Sequence, residues 1–150
     1  MIDAIDIVLI HQLLGRYGHL VDARDWDGFA DLFVPEASID YRSSTGRVER
    51  EGRDAIVEWF REVAHPGAHH VTNIVVDEHP DADGRVAVHS KFFAPYTREE
   101  HVPKRVYGGD YHDLVVRTDA GWRFVWKQCI PRWNLAVVPD ATAPDHRLTF

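Results

Sequence analysis

The chain has 150 residues, enough for one domain with a single hydrophobic core and too few for two domains of average size. Hydrophobic residues make up 45% and charged residues 27%, a globular rather than a disordered composition. The 24 Asp and Glu outnumber the 17 Lys and Arg, and the net charge of −7 disfavours a nucleic-acid partner. No continuous apolar run is long enough to cross a bilayer, so we expect no membrane partner.

Two residue types raise the first questions about location and chemistry. The single cysteine, Cys129, cannot form an internal disulfide, and the acidic N-terminus lacks the pattern of a signal peptide. We therefore expect a cytoplasmic protein in which Cys129 is a small core residue rather than a nucleophile. The 10 histidines are the unusual feature, because histidine is the side chain that titrates close to neutral pH.

The first half of the chain carries three helical patterns. Apolar residues recur at three- and four-residue spacing over residues 3–23, which predicts a long helix with one buried face. Asp25 can cap a short second helix that continues until Pro35 stops it. A short strand is predicted at 37–41, and a third helix at 54–64.

The second half of the chain is rich in β-forming residues separated by polar turns. Four segments fit strands: 69–78, 85–94, 104–118 and 121–133. Helices followed by consecutive antiparallel strands predict an α+β domain, in which three helices in the N-terminal half pack on one face of a curved antiparallel sheet. Large side chains on both faces of several strands favour a sheet that encloses an apolar pocket. We place this domain at 1–135 and an extended C-terminal arm at 136–150.

The histidines do not form a recognisable metal site, because neither H-E-x-x-H nor a zinc-finger pattern of Cys and His occurs. His69 and His70 are adjacent on a predicted strand, so their side chains point to opposite faces and cannot readily share an ion. Several others, among them His65, fall in loops or on helix surfaces, where we expect them to be solvated. Nucleotide-binding glycine motifs are also missing, and Gly108-Gly109 within a strand is typical of a bulge or bend.

General acid–base chemistry remains, since a carboxylate partner fixes the tautomer of a histidine and raises its basicity. The segments LVDARDWDGFADLFVPEASIDYRS and AHHVTNIVV, with GWRF and PRW near Trp122 and Trp133, resemble scytalone dehydratase and the SnoaL-like members of the nuclear transport factor two superfamily. The resemblance covers nearly the whole chain to Trp133. It implies a cone-shaped fold, in which three helices close against a strongly bent antiparallel sheet around a deep apolar cavity.

The same resemblance implies four catalytic residues. In the D-x-x-D-W-D run, Asp22 matches the aspartate that orients the catalytic histidine. His69, four residues before Asn73, is the better match for that histidine. Tyr17 stands where the related bile-acid dehydratases place a tyrosine, and Tyr41 matches the tyrosine that helps hold the substrate carbonyl.

Further residues are expected to contact the substrate, and His70 is kept as the alternative partner of Asp22. The expected substrate-binding residues are His70, Trp26, Phe33, Asn73, Tyr111 and Trp126. The chain departs from the family pattern on the next strand, where Phe92-Phe93-Ala94-Pro95-Tyr96 replaces a segment with a second active-site histidine. A purely structural role for the same residues is the alternative to catalysis, because helix capping would account for Asp22 and core packing for the tyrosines.

These residues predict a cofactor-independent lyase, a dehydratase acting on a hydrophobic, carbonyl-bearing small molecule such as a polyketide, steroid-like or aromatic compound. His69, oriented by Asp22, would remove a proton α to the carbonyl, and the tyrosines would stabilise the enolate oxygen. One alternative is a double-bond isomerase or polyketide cyclase, and another is a non-catalytic ligand-binding module like the small subunit of an aromatic-ring dioxygenase. We expect no metal and no cofactor, and by analogy a homodimer or homotrimer.

Overall fold

The computed structural model describes residues 1–43, 46–97 and 103–136. The helices are α1 (Ala4–Ala23), α2 (Trp26–Ala30) and α3 (Arg53–Glu62). The strands are β1 (Phe33–Ser43), β2 (Gly46–Glu51), β3 (His70–Val76), β4 (Val86–Thr97), β5 (Pro103–Thr118) and β6 (Gly121–Ala136). No helix in these ranges is long and apolar enough to span a membrane. The arm expected after the domain lies, beyond Ala136, outside the described residues.

The six strands form one curved sheet in the order β2-β1-β6-β5-β4-β3, with α1 against β3 and β6 and α3 against β1. Neighbouring strands are antiparallel except β1 and β6, which run parallel. The α+β prediction and the meander from β3 to β6 are confirmed. The sequence reading missed β2, whose exposed and polar residues lack the apolar alternation of a half-buried strand.

The second predicted helix was too long. Helix α2 ends at Ala30, and Phe33 begins strand β1 instead of closing the helix. The Leu32 carbonyl accepts a hydrogen bond from the backbone N–H of Phe124 at 2.8 Å, which commits this segment to the sheet. Phe33 is buried as predicted, but a few consecutive apolar residues fit a buried strand as well as a helix.

Two adjacent caps determine where α1 stops. Arg24 adopts a left-handed conformation with φ of 54°, and its N–H donates to the carbonyls of the last turn of α1. Asp25 then caps α2 by accepting from the backbone N–H of Gly28 at 3.0 Å, as predicted. The chain therefore makes a sharp turn immediately beyond the last turn of α1, which contains Asp22.

A bulge in β6 decides which of its side chains enter the core. The register between β5 and β6 shifts between Leu114 and Val115, so that Val125 is an extra residue. After the bulge the inward and outward positions exchange, and Lys127 lies on the same inner face as Phe124. Strict alternation along a strand would place residues 124 and 127 on opposite faces, and the extra residue reverses that order.

Lys127 forms a buried ion pair with Asp113 of β5. Its Nζ lies 3.1 and 3.2 Å from the two carboxylate oxygens, and the side chains are only 1% and 0% exposed. Burial lowers the pKa of Lys127 and raises that of Asp113, and the attraction between them opposes both shifts. Nζ also lies 4.3 Å from the ring centre of Tyr17 and 3.8 Å from that of Tyr111, so the pair braces both rings.

Replacing Lys127 with Met should destabilise the protein by about 3–5 kcal/mol, because Asp113 would stay buried without its partner. The double variant Lys127→Met/Asp113→Leu should recover most of that loss, since two apolar side chains need no counter-charge. Urea unfolding of the three proteins at neutral pH measures the difference. Equal stability of the single and double variants would contradict the inferred cost of an unpaired Asp113.

Two glycines permit a close approach of β5 and β6. The register shifts between Gly108 and Gly109, so the irregularity predicted for this pair is confirmed. A Cβ on Gly109 would lie 2.2 Å from the Ile130 carbonyl oxygen, and one on Gly108 would lie 2.0 Å from the Trp133 ring. At Gly109, where the nearest atom belongs to the backbone, only a residue without a side chain fits.

Gly109→Ala should therefore lower the free energy of unfolding by about 1–3 kcal/mol, because the added methyl overlaps a backbone carbonyl. Gly15→Ala on α1 is the matched control, since a Cβ there has nothing within 4 Å. It should raise the free energy of unfolding by about 0.5–1 kcal/mol through improved helix propensity. Equal stability of the two variants in thermal unfolding would contradict the inference that the close approach of the strands requires glycine at position 109.

Candidate active site

A cavity of about 260 Å³ lies between the helices and the inner face of the sheet. Much of its wall is aromatic, and the aromatic residues are Tyr17, Tyr41, Trp59, Phe60, Phe92, Tyr107 and Tyr111. The polar side chains that line it are those of the tyrosines and of two histidines, together with Arg42 and Cys129. An apolar enclosure with a few convergent polar groups is the usual form of a small-molecule site.

Asp22 holds His69 with two hydrogen bonds. Its Oδ1 accepts from the imidazole Nδ1 at 2.6 Å, and its Oδ2 accepts from the backbone N–H of His69 at 2.9 Å. Burial alone would raise the pKa of the Asp22 carboxyl, but the hydrogen bonds from His69 outweigh it and lower the pKa. Because an ionised carboxylate only accepts, Nδ1 carries the proton and Nε2 is left with its lone pair free.

The approach of α1 to His69 depends on a small residue. A Cβ on Gly18 would lie 3.0 Å from the His69 carbonyl oxygen and 3.4 Å from its Cβ. The glycine therefore lets one turn of α1 lie directly on the segment that precedes β3. This contact brings the last turn of α1, with Asp22, within hydrogen-bond distance of the His69 ring. The His69 side chain is only 7% exposed.

His70 lies outside the cavity. It is exposed, its Nδ1 is 3.2 Å from the Ala68 carbonyl oxygen, and its ring packs edge-on against Phe93. Neighbouring residues of an extended chain face opposite sides, so only one of the two histidines can meet Asp22. The residue in that position is His69.

Three tyrosine hydroxyls form a hydrogen-bonded group at the cavity. The hydroxyl oxygens of Tyr17 and Tyr41 lie 2.5 Å apart, and Tyr111 also hydrogen-bonds to Tyr17. Burial raises the pKa of all three tyrosines, so they stay protonated at neutral pH. Two of the three hydroxyl protons are used in the hydrogen bonds between the tyrosines. The third O–H can donate a hydrogen bond to a ligand oxygen.

The Tyr17 ring lies at the centre of this cluster. It packs against Phe29, Phe60 and Phe124 in the core, and its centroid is 6.4 Å from that of His69. The cluster therefore fixes the distance between the tyrosine hydroxyls and the imidazole.

Cys129 lies in the wall of the cavity and has no nucleophilic character there. The residue is buried, and burial raises the pKa of its thiol to about 12. The thiolate, which is the reactive form, is therefore absent at neutral pH.

Several expected substrate contacts do not line the cavity, whereas Tyr111 does. Phe33 is buried in the core behind it, and Trp126 lies on the opposite side of the sheet, paired with Leu114. Asn73 is exposed, with a φ of 52° at an irregularity of β3.

Trp26 lines a separate depression between α2 and α3. In each of these cases the motif indicates a nearby position along the chain but not the face from which the side chain projects.

His65 was expected to be solvated, and the structure places it in the cavity wall instead. Its ring stacks on Phe60 with centroids 4.8 Å apart and planes within 7° of parallel. In the sequence His65-Pro66-Gly67 marks only the end of a helix, and nothing in that pattern reports the aromatic surface on which the ring lies.

Within the described ranges, no three His, Cys, Asp or Glu residues lie close enough together to hold a metal ion. The hydrogen-bonded groups at the cavity include a carboxylate-bound imidazole and a chain of hydroxyls. Such a set can remove and return a proton and can stabilise negative charge on an oxygen.

Several solved structures share this fold. An inferred scytalone dehydratase from Novosphingobium aromaticivorans DSM 12444 superposes with a TM-score of 0.75, covers 97% of this chain and 96% of its own, and is 22% identical. An inferred aromatic ring hydroxylase from the same species gives a TM-score of 0.70 over 93% and 94% of the two chains, with 24% identity. The hexachlorocyclohexane dehydrochlorinase LinA type 2 gives 0.73 over 96% and 99%, with 14% identity.

At these identities the likeness to solved structures shows a common fold. No curated protein matches the chain significantly. A family model described as a SnoaL-like domain matches residues 3–126, which include α1 with Asp22 and the segment that carries His69. The resemblance read from the sequence is confirmed, and the chain belongs to the SnoaL-like family.

Proposed function

We propose that this protein is a cofactor-independent lyase, a dehydratase that acts on a hydrophobic small molecule with a carbonyl group. The observation that carries the proposal is the 2.6 Å hydrogen bond between Asp22 and His69, because His69 lines a cavity that Tyr17 and Tyr41, with their paired hydroxyls, also line. A base of fixed tautomer and donors for an oxygen thus share one largely apolar enclosure.

In the proposed reaction the Nε2 lone pair of His69 removes a proton α to the substrate carbonyl. Asp22 stabilises the imidazolium that forms, and the tyrosine hydroxyls donate to the enolate oxygen. The imidazolium then returns its proton to the hydroxyl on the β carbon as the carbon–oxygen bond breaks. The substrate loses one water, and His69 is restored to its neutral state.

The names of two structural neighbours favour elimination over the other chemistries of this fold. One is an inferred dehydratase and the other a dehydrochlorinase, so each name describes the removal of a small molecule across a carbon–carbon bond. An isomerase or a cyclase would use the same proton abstraction without losing water. A binding module would need neither the free Nε2 nor the hydroxyl pair.

Asp22→Asn should lower kcat by roughly 10³–10⁴-fold, because the amide no longer stabilises the imidazolium or holds the required tautomer. Asp25→Asn is the matched control: it makes the same change three residues along, at an exposed cap that asparagine also fills. Circular dichroism should show both variants folded. Full activity of Asp22→Asn and His69→Ala on the same substrate would exclude this mechanism.

Tyr41→Phe should lower kcat by roughly 10²–10³-fold with little change in KM, because its hydroxyl acts mainly on the charge that develops on the oxygen. Steady-state kinetics of the purified variant measure both constants. An increase in KM with unchanged kcat would show that the hydroxyl serves ground-state binding instead.

A panel of β-hydroxy ketones with one or two rings, analysed by mass spectrometry in H₂O and D₂O, separates the reaction types. We expect a product lighter by one water. A product of unchanged mass that gains deuterium from D₂O would indicate an isomerase, and tight binding without any conversion would indicate a binding module.

A further inference from the structure

His65 is held rigidly in the cavity wall by contacts that leave one edge of its ring unused. The ring stacks on Phe60, and the rings of Trp26 and Trp59 lie 6.1 and 6.4 Å away. Its Nε2 lies 2.8 Å from the Phe60 carbonyl oxygen. A backbone carbonyl only accepts, so Nε2 must be the donor.

A neutral imidazole carries a single N–H, so Nδ1 of His65 has a lone pair and accepts hydrogen bonds. No described residue donates to it. Among the described residues, the side-chain polar atom that is both fully enclosed and without a hydrogen-bond partner is Ser90 Oγ, so Nδ1 of His65 is not fully enclosed. Nδ1 is therefore reachable, in a residue that lines the cavity.

The ring stays neutral over the physiological range. Burial lowers the pKa of His65 to about 4, and the hydrogen bond to Phe60 offsets only part of that effect. The charged or titratable groups around it are Arg24, Asp22 and His69, and they belong to the end of α1 and the start of β3. A ring of such low basicity recognises a proton donor without taking its proton.

We propose that Nδ1 of His65 is a binding subsite for a hydroxyl group of the ligand, which makes the substrate of the proposed reaction a hydroxylated, largely apolar molecule. This hydroxyl is retained in the product, because His69 and not His65 exchanges protons. Three polar features of the cavity then match one ligand: a carbonyl oxygen for the tyrosine hydroxyls, an acidic C–H for His69 and a hydroxyl for His65.

Binding of two matched probes tests the subsite without any turnover. The probes are 2-naphthol and 2-methylnaphthalene, in which a methyl group takes the place of the hydroxyl, and equilibrium dialysis measures their Kd. The variants are His65→Phe, which keeps an aromatic ring on Phe60 but has no acceptor, and His70→Phe, the same change outside the cavity.

The preference for 2-naphthol is the Kd of 2-methylnaphthalene divided by that of 2-naphthol. It should fall by roughly 3–10-fold in His65→Phe, as expected for the loss of one hydrogen bond, and should stay at its original value in His70→Phe. Because Nδ1 stays unprotonated well above the lowered pKa of the ring, the preference in the unmodified protein should not change between pH 8 and pH 6. An unchanged preference in His65→Phe, or equal weakening of both probes, would overturn the proposal.

NMR of the unmodified protein with ¹⁵N-labelled histidine gives a second test that does not require the variant to fold. The His65 ring should show the Nε2–H tautomer, and its Nδ1 resonance should shift when 2-naphthol is added but not when 2-methylnaphthalene is added. A proton on Nδ1, or no selective shift, would refute the subsite. Neither result depends on the Asp22–His69 chemistry, so the proposed function stands or falls separately.

Discussion

The two hydrogen bonds from His69 to Asp22 are the constraint on which the rest of the site depends. One carboxylate accepts from the imidazole and from the backbone of the same residue, so it fixes the ring, its tautomer and the start of β3 together. The position of that carboxylate depends on where α1 ends, which Arg24 and Asp25 determine through their caps. The helix caps therefore help to position the Asp22 carboxylate, although neither capping residue lines the cavity.

The interior behind the cavity contains a charge pair that helps to position the tyrosines. Lys127 lies against the faces of Tyr17 and Tyr111, where the electron-rich ring attracts a cation. Asp113 neutralises that cation at hydrogen-bond distance, so the pair adds little net charge to the cavity. Its contribution is geometric: it limits how the rings can tilt and so keeps the hydroxyl chain in one arrangement.

The sequence predicted the fold class, the three helices and the meander, because each depends on local periodicity and capping. It also singled out Asp22, His69, Tyr17 and Tyr41, which the structure brings together at one cavity. It could not predict the face of Lys127, because one extra residue at Val125 reverses the alternation of the strand and no local signal marks that residue. It missed His65 for a related reason, since stacking on Phe60 is a tertiary contact that depends on how α3 and its following loop fold back.

Because the cavity contains few polar atoms, each of them has a large effect on ligand affinity. In an apolar enclosure an unpaired donor or acceptor is costly, so under the proposed function a ligand that leaves His69, the hydroxyl chain or His65 unpaired is expected to bind poorly even when its shape fits. Apolar walls supply affinity for many ring systems, whereas the pattern of one donor and two acceptors selects among them. Under the same proposal, Trp59, Phe60 and Phe92, which line the cavity, limit the size of the ligand, and the two histidines set its orientation.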